Sequence, residues 1–156
     1  YFSGGLRGNM RIIQLTIDNI YDNWPTIKFC ACAVNVLSSE KHTALFCRNL
    51  AANLFCSKAQ VHFCIDDDTR DLISVGITRI MKDVGDISHC LLDVAYGFKP
   101  TTDGQKEQIY QYLMTFAENL GCASLTAYTA NRMAGNSTLK MGLKETHRVY
   151  SSMVGG

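Results

Sequence analysis

A carboxylate sits where a run of apolar residues should hold none: Asp93 falls inside the segment from Ile87 to Tyr96. An ionised group there needs a cleft or a partner, because desolvating it unpaired is costly. Asp93 is therefore the first candidate for a proton-handling side chain. His89 in the same segment is the second, although a sheet histidine is more often a structural hydrogen-bonder. His89 and Cys90 together carry the residue types of a thiol nucleophile and its base. Neighbours on a strand point to opposite faces, so they cannot act as a catalytic pair. His42, His62 and His147 add no metal-ligand spacing, and Cys30 and Cys32 stand too close in sequence for a zinc knuckle. No metal site is expected.

Positioning these groups falls to an alternation of strands and helices. Arg11 to Ile17 is β-branched and apolar and reads as a first strand. Asp18 or Asn19 can cap the helix after it, and Pro25 fits early in that helix or at a break in it. Ser38 or Ser39 offers the cap of a second helix, in which Leu45, Phe46, Leu50 and Leu54 recur at helical spacing. Val61 to Ile65 and Leu72 to Ile80 flank a polar turn as a hairpin, and Ile87 to Tyr96 follows as a third meandering strand. From Asp103 to Leu120, the residues Ile109, Leu113, Phe116 and Leu120 share one helical face. Thr102 or Asp103 is its N-cap and Gly121 its natural stop. Ala123 to Thr129 is then a strand, Asn131 to Met141 a short helix, and Lys144 to Met153 a final alternating strand. This order predicts an α/β fold: a mixed central sheet of about six to seven strands flanked by helices.

The stretch from Ala117 to Leu143 joins a helix that stops at Gly121, an apolar strand, Asn131-x-x-Ala134 and Lys140-x-Gly142-Leu143. That combination resembles the C-terminal half of the GCN5-related N-acetyltransferases. The resemblance runs from Val61 to Met153 and includes Gly76 within an apolar third strand. It implies that acetyl-CoA, as co-substrate, lies between two splayed strands. Backbone groups of the segment holding Val94, Ala95 and Tyr96 would meet the pantetheine arm, and Asn131 would touch the same arm. The family's pyrophosphate loop, Arg/Gln-x-x-Gly-x-Gly/Ala, falls on Thr101, Thr102, Asp103, Gly104, Gln105 and Lys106. Consecutive amides at a helix N-terminus hold such an anion, and glycine lets the backbone approach it. Gly104 keeps the pattern, whereas Thr101 and Lys106 depart from it, so the chain reads as a divergent member with a degenerate loop. Lys106 either offers its ammonium to a phosphate or closes the site by bulk, with Asp103 adding like-charge repulsion. For the chemistry, the resemblance implies Asp93 or His89 as general base. The family's tyrosine acid is replaced by Thr138, leaving Tyr128 or Tyr150 to protonate the departing thiolate.

Composition sets the remaining bounds. The 156 residues are 47% hydrophobic and 19% charged, which suits one folded domain and excludes a disordered chain. The opening Tyr-Phe-Ser-Gly-Gly reads as a tag remnant over residues 1–9, leaving 10–156 as a single domain. A net charge of +1 without a basic cluster excludes the electrostatic footprint of a nucleic-acid binder. No apolar run reaches the roughly 18 residues of a membrane span. The seven cysteines lie mostly in apolar segments and read as reduced core thiols of a cytoplasmic protein. The expected function is acetyl transfer from acetyl-CoA to a small-molecule or peptide amine by direct attack. The alternative is a lapsed acetyltransferase fold that serves as a binding or structural module. An exposed final strand would allow a homodimer.

Overall fold

The computed structural model of the protein describes residues 9–35 and 39–127. Within them a five-stranded sheet runs in the order β1 (Met10–Gln14), β2 (Ala59–Asp66), β3 (Leu72–Lys82), β4 (Ser88–Gly97) and β5 (Leu125–Ala127). The first four strands are antiparallel neighbours, and β5 lies parallel to β4. A parallel pair needs a crossover, and the helix Asp103–Asn119 supplies it. The α/β class and mixed sheet match the expectation, with five strands among the described residues rather than six or seven. The helix expected from Asn131 and the final strand from Lys144 lie outside the described residues.

The first strand ends earlier than its apolar run suggests, because Thr16 caps a helix. Its hydroxyl accepts from the Asn19 amide at 3.3 Å, and α1 (Ile17–Asp22) follows. The cap is thus Thr16, not Asp18 or Asn19. The helical stretch then breaks at Asn23, and α2 (Trp24–Val34) restarts with Pro25 in its first turn, where a missing N–H costs nothing. Three helices therefore precede β2 where two were expected. The third, α3 (Glu40–Phe55), is capped by Ser39, whose hydroxyl accepts from the His42 amide.

Two layers cover the sheet. Val61, Phe63, Val75, Ile77 and Val94 project to one face, where they pack against Ile20, Ile27, Cys30, Ala31 and Leu54 of α1, α2 and α3. Alternation sends His62, Cys64 and Thr78 to the other face, beneath α4 (Asp103–Asn119). The helix α4 ends as its sequence predicts, since Gly121 takes φ +74°, a conformation that disfavours a side chain. All seven cysteines are free thiols, and all but Cys56 are at least half-buried, in line with the core-thiol reading. Ile77 is 2% exposed at the centre of the larger cluster. Ile77→Ala should therefore cost about 2–5 kcal/mol, seen as a lower urea midpoint with an unchanged m value.

Candidate functional site

The β3–β4 ladder slips by one residue at Asp93. Val94 is opposite Ile77 and Leu92 opposite Thr78, so Asp93 between them has no partner in register. This is a β-bulge, and it sets two successive side chains on the same side of the sheet. Val94 goes into the core under α2, while Asp93 meets Arg79 of β3 on that face. The Arg79 Nε donates to Asp93 Oδ2 at 2.6 Å and Nη2 donates to Oδ1 at 3.4 Å. Their side chains remain 42% and 30% exposed, so the carboxylate has both the partner and the opening its setting demanded. Such a half-exposed pair contributes modestly to stability.

Beyond the bulge, Tyr96 shares the face of Val94 and joins two further rings. Phe29 of α2 stands edge-on to it at 5.6 Å, Phe98 edge-on at 4.9 Å, and Phe29 and Phe98 stack at 6.3 Å. Phe29 and Phe98 remain substantially exposed. These two were not legible as site residues, since an aromatic residue on a helix or loop carries no sequence signal for clustering. Val94 is buried, so it has only its backbone to offer, and Ala95 and Gly97 are exposed. The described pairing of β4 with β5 runs from Cys90–Leu125 to Leu92–Ala127, ending beside the bulge. Tyr128 and Asn131, with Thr138 and Tyr150, lie outside the described residues.

The loop after β4 leads directly into α4. The amides of Phe98 and Lys99 donate to Ile73 O of β3 at 2.8 and 3.3 Å, which anchors the loop. The Lys99 ammonium contacts Asp71 at 2.6 Å and holds that exposed carboxyl below its usual range. Thr102 is the N-cap, as expected, and it forms a reciprocal capping box. The Gln105 amide donates to Thr102 Oγ1 at 3.1 Å, and the Thr102 amide donates to Gln105 Oε1 at 3.0 Å. The Lys106 amide reaches Thr102 O at 3.0 Å, so Lys106 can offer a ligand only its side chain. Of the amides from Thr102 to Lys106, those of Asp103 and Gly104 alone have no acceptor among the described residues.

His89 sits at the other end of β4. One ring nitrogen hydrogen-bonds Ser124 Oγ and the other Asp83 Oδ2, each at 2.7 Å. Asp83 also accepts from the amides of Gly85 and Ile87. These bonds, the histidine's first, hold its carboxyl below the usual range. The row fastens the β3–β4 turn to the segment entering β5 and shares no partner with Asp93, which is held by Arg79.

A second histidine became legible only in three dimensions. His62 is 2% exposed beneath α4, edge-on to Phe116 at 4.7 Å and to Tyr112 at 5.4 Å. Thr78 Oγ1 donates to Gln60 Oε1 at 2.9 Å, so it must accept from His62 Nε2 at 2.8 Å. That leaves Nδ1 to accept from the Tyr112 hydroxyl at 2.9 Å. The ring is thereby held neutral, and burial pushes its pKa down to about 4. A shallow depression of about 460 Å³ lies beside it, lined by Gln14, Gln111, Tyr112, Thr115, Phe116 and Asn119. None of the residues expected at the site touches it. Among the described residues, no group of three or more potential metal ligands converges, and no helix is long and apolar enough to cross a membrane.

No family model and no curated protein matches the chain. Solved structures do match along almost its whole length. A probable acetyltransferase superposes with a TM-score of 0.69 at 14% identity, covering 94% of this chain and 99% of that one. A predicted acetyltransferase from Clostridium acetobutylicum, crystallised with acetyl-CoA, gives 0.68 at 10% identity and covers 94% and 97%. The aminoglycoside N-acetyltransferase AAC(6')-Iy, in complex with CoA, gives 0.65 at 13% identity and covers 96% and 97%. The chain has the fold of the GCN5-related N-acetyltransferases, as its motifs implied.

The His62 environment makes a signed prediction. In the unfolded chain the ring takes up its proton near pH 6.5, but in the folded protein only near 4. The unfolded state therefore binds more protons between those values, and stability falls as pH drops through that window. The contribution is whole above pH 6.5 and costs up to about 3 kcal/mol by pH 4. Urea titrations at stepped pH should show that slope, and His62→Gln should flatten it.

Proposed function

We propose that this protein is an acetyl-CoA-dependent N-acetyltransferase, acting on an amine by direct attack within a ternary complex. The observation that carries the reading is the bulge. It turns Asp93 out of the middle of an otherwise apolar strand, where the carboxylate has Arg79 as partner and keeps exposed surface. The same strand goes on through Tyr96 to the loop that feeds α4. The acetyltransferase fold supports the same reading.

The residues present fit the coenzyme in part. Its pyrophosphate would lie against the amides of Asp103 and Gly104, aided by the helix dipole. The Lys106 ammonium is in the same first turns of the helix. The Gln105 amide is held by Thr102, so the phosphate site is narrower than a fully open helix end. The backbone from Val94 to Tyr96 would take the pantetheine arm and Asn131 a further part of it. On binding, acetyl-CoA supplies a thioester whose carbonyl carbon is open to nucleophiles. Asp93 then removes the ammonium proton of the acceptor through Oδ1, the oxygen more loosely held by Arg79. The freed amine forms the new C–N bond as the C–S bond breaks, and Tyr128 protonates the departing thiolate. The proton still on the new amide nitrogen leaves through solvent, which restores the Tyr128 hydroxyl, while Asp93 gives its proton back to solvent. His89 takes no part, because its nitrogens are occupied at the opposite end of β4. The free thiols favour a cytoplasmic enzyme, and the acceptor we propose is a small-molecule or peptide amine.

A second reading rests on the capping box. A helix end that satisfies its own donors binds anions less readily, which suits a lapsed fold acting as a binding module. Calorimetric titration with acetyl-CoA separates the two. Micromolar affinity is expected, and absence of heat at millimolar coenzyme would sink the enzyme reading. Thr102→Ala should act in opposite directions on two measurements. It should lower the stability of the free protein by about 1 kcal/mol, while the released Gln105 amide tightens acetyl-CoA binding. Asp93→Asn should reduce kcat about 100-fold and leave the coenzyme Kd unchanged.

A further inference from the structure

Cys32 of α2 and Cys47 of α3 meet with their sulfurs 3.5 Å apart, although no bond joins them. They come from separate helices and lie 15 residues apart in sequence. The neighbouring Cys30 and Ala31 are fully buried against the sheet, whereas Cys32 is only partly buried. Cys47 is 9% exposed behind it. Cys32 is therefore the more accessible of the two thiols and the one that meets a solvent-borne disulfide first. We propose that Cys32 and Cys47 are a thiol–disulfide exchange site, which a small-molecule disulfide such as oxidised glutathione converts to an internal bridge between α2 and α3.

The electron balance closes with that oxidant. The Cys32 thiolate attacks one glutathione sulfur, and the S–S bond breaks to release a first glutathione thiolate. The Cys47 thiolate then attacks the Cys32 sulfur of the mixed disulfide and releases the second. Two protein thiols are oxidised, two glutathiones are formed, and their thiolates take up the two protons. Closing the pair needs the sulfurs to move from 3.5 Å to about 2.04 Å, within the reach of side-chain rotation and a small helix shift. Burial first, and then the hydrogen bond with Cys47, raise the Cys32 pKa, so the thiolate fraction at neutral pH is small. Exchange is accordingly slow near pH 7 and accelerates towards pH 9. The bridge also holds α2, which carries Phe29 onto the Tyr96 and Phe98 rings, against α3.

The test needs no assumption about catalysis. The folded protein is incubated with oxidised glutathione at pH 8.5, alkylated with N-ethylmaleimide and mapped by peptide mass spectrometry. A Cys32–Cys47 peptide two hydrogens lighter is expected, together with loss of two alkylatable thiols. The thermal midpoint should rise by roughly 5–10 °C, and dithiothreitol should reverse both changes. Cys32→Ser should abolish the bridge and the shift, whereas Cys122→Ser should keep them. Full alkylation of both cysteines, a glutathione adduct that persists on Cys32, or a bridge formed elsewhere would each overturn the proposal.

Discussion

The single-residue slip between β3 and β4 governs what this fold can present. Without it Asp93 would follow the alternation of an unbroken strand, and either Asp93 or Val94 would face the wrong layer. With it, Val94 enters the core beside Ile77 while Asp93 remains at the surface against Arg79. The extra residue also leaves Tyr96 on the face that Phe29 covers. Core packing on one side of the slip and a polar opening on the other are thus a single geometric event. The stiffness comes from the neighbours: Ile77 is locked in the core, and the loop after β4 is tied back to Ile73.

The start and the middle of β4 do different jobs with similar residue types. At its start, His89, Asp83 and Ser124 form a hydrogen-bonded row in which both ring nitrogens of the histidine have a partner. At its middle, Asp93 has one cationic partner and exposed surface. Saturated polar groups rigidify a join between elements, whereas a carboxylate with an accessible oxygen can exchange a proton. Position along one strand, not side-chain chemistry, separates a fastening from a candidate site.

Much of this was readable before any coordinates. Asp93 drew notice because a charge in an apolar run is expensive, and the amphipathic helix α4 showed its cap as Thr102 or Asp103 and its stop at Gly121. The bulge was not readable, since a register slip leaves the local residue pattern almost intact. The helix break at Asn23 was foreshadowed only by Pro25, and the Thr16 cap was hidden by the apolar Ile17 that follows it. His62 carried no signal of its own. Its role needs Tyr112, fifty residues away, and Thr78, sixteen away, to arrive at the same place. Likewise the Phe29, Tyr96 and Phe98 rings come from three segments that only the fold brings together.

The buried His62–Tyr112 bond also acts as an indexing pin for α4. Apolar contacts alone tolerate some rotation of a helix about its axis, and each residue's worth of slip turns it by about 100°. A directional bond to a ring that is itself held by Thr78 and Gln60 admits one setting. Gly104 lies eight residues up the same helix, about 12 Å along its axis, so the aim of its amide is set by a hydroxyl two turns below. The helix end at Gly104 and an interior histidine, unrelated in sequence, are thereby parts of one alignment.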